Sequence, residues 1–140
     1  MSATRPILLV DDNPMDVDLT LRAFKRSGLV NPILVARDGA EALAWIPRWE
    51  AGEPQPVLIL LDINMPKVGG LEVLRQLKSH PRLRVIPVVM LTTSSVSTDV
   101  EAACLNGANS YLVKPVDFDK FCGLAAQIQT YWTVLNQLPE

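Results

Sequence analysis

The sequence predicts an α/β fold in which a doubly wound, five-stranded parallel sheet is covered by five helices. Apolar runs alternate with helical patterns five times along the 140 residues, an order typical of a parallel sheet with helices on both faces. The third run, VLILLD at 57–62, is uniformly apolar, as expected for a strand buried on both faces. Hydrophobic residues make up 49% of the chain, which is enough for the core of one domain of this size.

The first strand and helix are marked by clear boundary residues. The apolar run PILLV at 6–10 is followed by Asn13, which suits a helix N-cap, and by Pro14, which suits a first helical position. Acidic residues come early in the helix and basic residues late, as the helix dipole favours, and Gly28 supplies the stop. One face of this helix is apolar and is formed by Val17, Leu21 and Phe24.

The second and third units follow the same pattern. PILVA at 32–36 predicts a short strand, and GAEALAWI at 39–46 predicts a short helix that Pro47 should end. The stretch PRWEAGEPQP at 47–56 is predicted as the one long loop. After the buried third strand, GGLEVLRQLKSH at 69–80 predicts a helix whose inward face is Leu71, Leu74 and Leu77.

The last two units complete the alternation. IPVVMLT at 86–92 is predicted as the fourth strand, and Thr98 and Glu101 have the spacing of a capping box that opens the fourth helix. SYLV at 110–113 predicts the fifth strand, and 117–135 predicts the last helix. The inward face of that helix is formed by Phe118, Phe121, Ala125, Ile128 and Trp132.

Composition excludes several classes of partner and environment. The formal net charge is −2, which provides no bulk attraction to nucleic acid. No apolar run approaches the roughly 20 residues that a membrane helix needs, and the first residues lack a secretory signal. The two cysteines, Cys104 and Cys122, are expected to be reduced. We therefore expect a cytoplasmic protein that binds neither nucleic acid nor membranes.

Chemically active side chains stand where the predicted strands end. Asp11 and Asp12 follow the first strand, Asp62 ends the third, Thr92 ends the fourth and Lys114 follows the fifth. Ligands of open parallel sheets bind at the carboxyl ends of the strands, so we expect these five side chains to converge there. Neighbouring carboxylates repel one another unless cations offset their charge. Mg²⁺ prefers few oxygen ligands from protein and keeps its waters for phosphate oxygens, so it suits this group, with Lys114 offsetting a further charge.

Such a group suits phosphoryl transfer to a carboxylate. A carboxylate can accept a phosphoryl group as an aspartyl phosphate, while a metal and a lysine neutralise the oxygens in transit. Asp62 is the best candidate because it ends the most buried strand and should lie centrally. The sequence contains no glycine-rich nucleotide loop of the P-loop or dinucleotide type, so we do not expect ATP bound in such a loop to be the donor.

Four motifs in order resemble those of bacterial response regulator receiver domains. They are LLVDDNP, LILLDINMPKVGG, VVMLTTS and GANSYLVKPVD, and each stands at the end of a strand. The resemblance covers about 5–135 of 1–140, which implies a single receiver domain with no output domain. It also implies the flavodoxin-like receiver fold, with strand order 2-1-3-4-5.

The resemblance implies a set of residues for the phosphoryl group and its metal. Asp62 resembles the phospho-accepting aspartate. Asp12 resembles the direct Mg²⁺ ligand, and Asp11 would help through a water molecule or by contacting a group that binds the metal. The backbone carbonyl of Asn64 resembles the third protein ligand, with Mn²⁺ as an alternative ion.

The resemblance also implies a conformational switch. Thr92 resembles the hydroxyl residue that turns toward the phosphoryl group, and Tyr111 resembles the aromatic residue that rotates inward with it. Lys114 resembles the lysine that contacts the phosphoryl group, and its bond to Pro115 resembles the family's cis peptide.

A narrower resemblance is to the single-domain regulators that partner bacterial phytochrome histidine kinases. It is carried by NPMDVDLTLRAFKRSGLVNPILVARDGAEAL, LTTSS, PVDFDKF and YWTVLN. It implies a red-light sensor kinase as partner, and homodimers formed through the fourth helix, fifth strand and fifth helix. Tyr131 and Trp132 near the end of the last helix suit either a partner-binding patch or a cap on the core.

Two other functions are compatible with an acidic strand end. A haloacid-dehalogenase-type phosphatase also uses an aspartate nucleophile, but it needs an aspartate two residues later, where this chain has Asn64. A receiver-like module could instead bind partners without phosphorylation, although the complete set of site residues argues against it. His80, the only histidine, is predicted to be a solvated helix end rather than a phosphorylated residue.

Overall fold

The five strands form one parallel sheet in the order β2-β1-β3-β4-β5, as the resemblance implied. The structure is a computed structural model that describes residues 4–138. Each strand is only four or five residues long and pairs in parallel with its neighbours. The strands are β1 (Ile7–Val10), β2 (Ile33–Ala36), β3 (Leu58–Leu61), β4 (Val88–Thr92) and β5 (Ser110–Val113).

Helices cover both faces of the sheet and divide its core into two layers. Odd-numbered β1 residues such as Leu9 join the layer under α1 and α5, while Leu8 and Val10 join the layer under α2, α3 and α4. A short 3₁₀ turn (Leu83–Val85) precedes β4, and a π-helical turn (Thr130–Leu135) extends α5. The helices are α1 (Pro14–Arg26), α2 (Gly39–Glu50), α3 (Gly70–Ser79), α4 (Ser97–Leu105) and α5 (Phe118–Gln129).

The strand register places Asp11 and Asp62 side by side. Val10 is the register partner of Leu61, so the residues that follow them leave the sheet at the same level. The Asp62 N–H donates to the Val10 carbonyl at 3.0 Å, and the Asp11 N–H donates to the Ala36 carbonyl at 3.1 Å. The parallel sheet therefore brings together two carboxylates that are 51 residues apart in the chain.

The ends of α1 are as predicted. The side-chain oxygen of Asn13 accepts hydrogen bonds from the N–H groups of Met15 and Asp16, and Pro14 is the first helical residue. Gly28, just past the helix, has φ +82°, a conformation that favours glycine. This cap fixes the helix directly after Asp11 and Asp12.

The prediction that Pro47 ends α2 is wrong, because the helix continues to Glu50. Because proline has no N–H, the helix loses one hydrogen bond and some stability. Burial of a large apolar side chain nearby can offset that loss. Trp49 is buried in the next turn and stacks on Trp45 with ring centroids 6.0 Å apart. The Arg48 guanidinium lies 3.9 Å from the centre of the Trp45 ring, which adds a cation–π contact.

The predicted capping box of Thr98 and Glu101 is not formed. Helix α4 begins at Ser97, and no side chain in the described range caps its first turn. Instead, the Ser94 hydroxyl donates to Asp99 at 2.7 Å and accepts from the Val96 N–H at 3.3 Å. Hydrogen bonds with the Ser94 hydroxyl, in the turn before the helix, therefore satisfy the Val96 N–H and the Asp99 carboxylate. Thr98 is left exposed.

Within residues 4–138, no helix is both long enough and apolar enough to span a bilayer.

Candidate functional site

Three carboxylates meet at the carboxyl edge of the sheet. One oxygen each from Asp11, Asp12 and Asp62 lies within 4.8 Å of the others. Asp11 is buried, Asp62 is 8% exposed and Asp12 faces solvent. The structure thus brings together the residues for which the sequence predicted a shared cation, with one open side.

Asp62 has an oxygen that nothing in the described part of the chain satisfies. Its Oδ1 is buried and has no hydrogen-bond partner there, and its Oδ2 lies 3.8 Å from the Lys114 ammonium. A buried carboxylate oxygen without a partner is unfavourable. A hard divalent cation would relieve it, so the donor set fits Mg²⁺ or Mn²⁺.

Lys114 is buried among acidic side chains. Its Nζ donates to Asp11 Oδ2 at 2.5 Å and to Asp16 Oδ2 at 3.1 Å. Sequence reasoning placed Asp16 only as an early acidic residue of α1 and missed this contact. The sequence did carry a signal for this contact. Asp16 lies in the first turn of α1, and this helix starts where β1 ends, next to the predicted site.

Burial and charge act in opposite directions on the Asp11–Lys114 pair. Burial raises the pKa of the Asp11 carboxyl, and hydrogen bonds from Lys114 and the Asn13 N–H only partly offset that effect. Burial opposes the charged form of Lys114, but its hydrogen bond to Asp11 and the charges of Asp11 and Asp62 raise its pKa above the ordinary value. Lys114 therefore remains an ammonium, able to stabilise additional negative charge beside Asp62.

The peptide bond between Lys114 and Pro115 is trans, and the expectation of a cis bond is wrong, because no peptide among the described residues is cis. Trans is the intrinsically preferred isomer of an X–Pro bond, by about 0.5–1 kcal/mol. In this backbone the Lys114 N–H donates to the Thr92 carbonyl at 2.8 Å, which joins the ends of β4 and β5.

The loop between β4 and α4 is held by side-chain hydrogen bonds. Thr92 is fully buried, and its hydroxyl oxygen accepts from the Ser94 N–H at 3.4 Å. The Tyr111 hydroxyl donates to the Ser94 carbonyl at 2.9 Å. Burial raises the pKa of Tyr111, which keeps this donor protonated. Thr92 and Tyr111, which the resemblance implied to be the coupled switch residues, are therefore linked through one residue, Ser94.

The loop that follows Asp62 is held by backbone packing instead. The Gly70 N–H donates to the Ile63 carbonyl at 3.1 Å. A Cβ at Gly70 would collide with the Asp62 carbonyl oxygen and come within 2.8 Å of the Ile63 Cα. Asn64 lies in this loop with its side chain exposed, and its carbonyl as a metal ligand remains a prediction.

His80 lies at the end of α3 as predicted, but its side chain is mostly covered and hydrogen-bonded. Its side chain is 14% exposed, and its Nε2 lies 3.0 Å from Glu50 Oε2. Its Nδ1 accepts from the N–H groups of Arg82 and Leu83, both at 3.1 Å, so the proton of the neutral ring resides on Nε2. These contacts give His80 a structural role that links the ends of α2 and α3.

Comparisons with known proteins agree with this arrangement. The family profile of the response regulator receiver domain matches residues 7–126. The chain is 44% identical over 134 residues to the probable methanogenesis regulatory protein FilR2 of Methanothrix harundinacea, covering 95% of this chain and 86% of the relative. It is 38% identical over 135 residues to the response regulator Rcp1 of Synechocystis, covering 95% of this chain and 92% of the relative.

Solved structures are similar over nearly the whole chain. The phosphorylated cyanobacterial phytochrome response regulator RcpA has 35% identity and a TM-score of 0.90, with 99% of this chain and 100% of that chain covered. The Mn²⁺-bound form of Rcp1 has 36% identity and a TM-score of 0.86, with 97% of this chain and 99% of that chain covered.

Proposed function

Because the chain belongs to the response regulator receiver domain family, we propose that it is a signalling switch that accepts a phosphoryl group on Asp62 from a sensor histidine kinase. The observation that carries this proposal is the environment of Asp62. Its Oδ1 is buried without a hydrogen-bond partner in the described chain, beside two further carboxylates and the Lys114 ammonium. Of the functions considered, transfer of a phosphoryl group to this carboxylate uses all of these features.

The proposed transfer is a displacement at phosphorus. An Asp62 carboxylate oxygen attacks the phosphohistidine of the kinase, an O–P bond forms, and the P–N bond breaks with its electron pair returning to the imidazole. Lys114 donates to the oxygens of the group in transit. Slow hydrolysis resets the switch, because water then attacks phosphorus and releases inorganic phosphate and the Asp62 carboxylate.

Four groups would hold the metal in this proposal. They are the carboxylates of Asp12 and Asp62, the backbone carbonyl of Asn64 and, through water, Asp11. When bound, Mg²⁺ would neutralise the carboxylates and the phosphoryl oxygens, with Mn²⁺ as an alternative. The relative Rcp1 has a Mn²⁺-bound structure, which supports the choice of a divalent cation.

Removal of the divalent metal should nearly abolish phosphorylation. With phosphoramidate as donor, we expect EDTA to lower the rate at least about 100-fold, because the clustered carboxylates then repel the incoming group. The rate is measured by separating the phosphorylated and free forms on a phosphate-affinity gel. Added Mg²⁺ should restore the rate, and an unchanged rate in EDTA would contradict the metal role of Asp12.

The output is proposed to be a protein contact on the face that Thr92 and Tyr111 alter. If the Thr92 hydroxyl turns toward a phosphoryl group, it leaves the Ser94 N–H, and the Tyr111 hydroxyl can leave the Ser94 carbonyl. Phosphorylation would then favour one of two pre-existing loop conformations. The relative RcpA, a cyanobacterial phytochrome response regulator, supports the further proposal that the partner is a phytochrome kinase. We also propose that the two proteins meet in the cytoplasm.

We also expect a homodimer through α4, β5 and α5. This face exposes large apolar side chains, namely Leu105, Val113 and Val116, and continues to Tyr131, Val134 and Leu135. Leu105→Glu should raise the dimer dissociation constant about tenfold, measured by analytical ultracentrifugation.

Val30→Glu is the matched control for Leu105→Glu. Val30 is 82% exposed against 87% for Leu105, but it lies in the loop after α1, outside the proposed dimer face. Equal effects of the two substitutions would contradict the assignment of the dimer face. A strictly monomeric wild-type protein at tens of micromolar would contradict the homodimer itself.

A further inference from the structure

The Lys114 ammonium contacts three carboxylates at unequal distances. Its Nζ lies 2.5 Å from Asp11 Oδ2, 3.1 Å from Asp16 Oδ2 and 3.8 Å from Asp62 Oδ2. Only the first two distances allow hydrogen bonds. An ammonium has three N–H donors, so these two bonds leave the third for a further group.

The backbone of Asp16 is fixed by hydrogen bonds, and its carboxylate lies outside the carboxylate cluster. Its N–H donates to the Asn13 side chain at 3.2 Å, and its carbonyl accepts the hydroxyl of the buried Thr20 at 2.7 Å. The group of carboxylates whose oxygens lie within 4.8 Å of one another consists of Asp11, Asp12 and Asp62 only, among the residues of 4–138. Asp16 therefore acts on the lysine and not on the expected metal position.

We propose that Asp16 is a positioning residue that holds the Lys114 ammonium at a distance from Asp62. A charge-assisted N–H···O bond is about 2.8 Å long, so the observed 3.8 Å is about 1 Å too long for an ion pair in direct contact. At that distance Lys114 leaves the Asp62 oxygens free to attack, and its third N–H can be taken by a phosphoryl oxygen. This inference rests on the proposed phosphorylation of Asp62.

Without the Asp16 carboxylate, the ammonium should move onto Asp62. Asp11 would remain as one anchor, and the nearest further carboxylate is Asp62. A direct Lys114–Asp62 ion pair would engage the lone pairs that attack phosphorus and would occupy the space of the incoming group. Because Lys114 faces Oδ2, the Oδ1 oxygen of Asp62 would stay open to the metal, so the site would lose reaction rate but not its metal donors.

Asp16→Asn tests this role, with Asp18→Asn as its matched control. Asp18 lies on the same helix, is 58% exposed and pairs with Arg22 at 3.0 Å. We measure phosphorylation by phosphoramidate in the full chain at varied Mg²⁺ concentration. Asp16→Asn should lower the maximal rate about tenfold, within the roughly 100-fold that an ångström of misplacement can cause, with an unchanged half-saturating Mg²⁺ concentration. Asp18→Asn should behave as wild type.

A crystal structure of metal-free Asp16→Asn gives a second measurement that does not depend on activity. We expect Lys114 Nζ at about 2.8 Å from an Asp62 oxygen. A lysine that stays in place, a wild-type rate, or a loss of Mg²⁺ affinity that parallels the loss of rate would each overturn the inference. If Asp16→Asn does not fold, Asp16→Ser serves in the same assay. Failure of wild type itself to become phosphorylated would instead contradict the proposed function.

Discussion

Asp62→Asn protein should take up no measurable phosphoryl group, either from phosphoramidate or from a phosphorylated phytochrome histidine kinase. The amide lacks the anionic oxygen that attacks phosphorus, and the other two carboxylates of the cluster are placed differently. Asp11 is engaged by Lys114 at 2.5 Å, and Asp12 faces solvent. We expect a loss of at least about 1000-fold in rate, as for removal of a nucleophile, measured on phosphate-affinity gels.

Two controls separate this loss from misfolding and from donor choice. Asparagine is nearly isosteric and removes one of three mutually repelling charges, so thermal unfolding of the variant should occur at or above the wild-type temperature.

Asp18→Asn should be labelled like wild type. Labelling of Asp62→Asn at the wild-type level would place the acceptor elsewhere. If phosphoramidate labels the wild type but the phytochrome kinase does not, only the proposed kinase partner is contradicted.

Gly70→Ala should strongly destabilise the fold, because it adds a methyl group where backbone atoms are already in close contact. The new Cβ would lie 2.8 Å from the Ile63 Cα and 2.9 Å from the Asp62 carbonyl carbon, and it would collide with the Asp62 carbonyl oxygen. These are backbone atoms at the end of the central strand, so they cannot yield as a flexible side chain can. We expect a loss of about 3 kcal/mol in the free energy of unfolding, measured by urea denaturation.

Gly123→Ala is the matched control, because it adds the same methyl group inside α5. No atom of the described chain, apart from its own helix backbone and neighbours, lies within 4 Å of the position its Cβ would take. Alanine there should raise the free energy of unfolding by about 0.5–1 kcal/mol through the lower entropy of the unfolded chain and better helix propensity. Equal urea midpoints for Gly70→Ala and wild type would contradict the close packing described here.

The fold and most of the site could be predicted because they depend on periodicity and on parallel strands. Uniformly apolar runs predict buried strands, and parallel pairing carries their last residues to one edge, which is how Asp11 and Asp62 meet. The Asn13 cap is equally local, since it needs only residues of the next turn. Such features are encoded within a few residues of where they act.

The misses depend on contacts between distant segments. Lys114 reaches Asp16 across 98 residues, and sequence spacing carries no information on that distance. Likewise, burial of Trp49 lets α2 continue through Pro47, where the local rule predicts an end. At His80, hydrogen bonds to its own following turn and to Glu50 replace the water that the pattern predicted. In each case tertiary contacts outweigh local preference.

The two loops that border Asp62 are held in unlike ways. The loop after β3 is wedged between Gly39 and Gly70, because a Cβ at Gly39 would lie 2.8 Å from the Val68 Cβ and one at Gly70 would meet the Asp62 backbone. The loop after β4 depends instead on two hydrogen bonds, from the Ser94 N–H to the Thr92 hydroxyl and from the Tyr111 hydroxyl to the Ser94 carbonyl. A change at Asp62 therefore meets a closely packed, rigid loop after β3 and a hydrogen-bonded loop after β4 that can rearrange. If Asp62 is phosphorylated as proposed, we expect the change to spread through the loop after β4, toward α4 and β5.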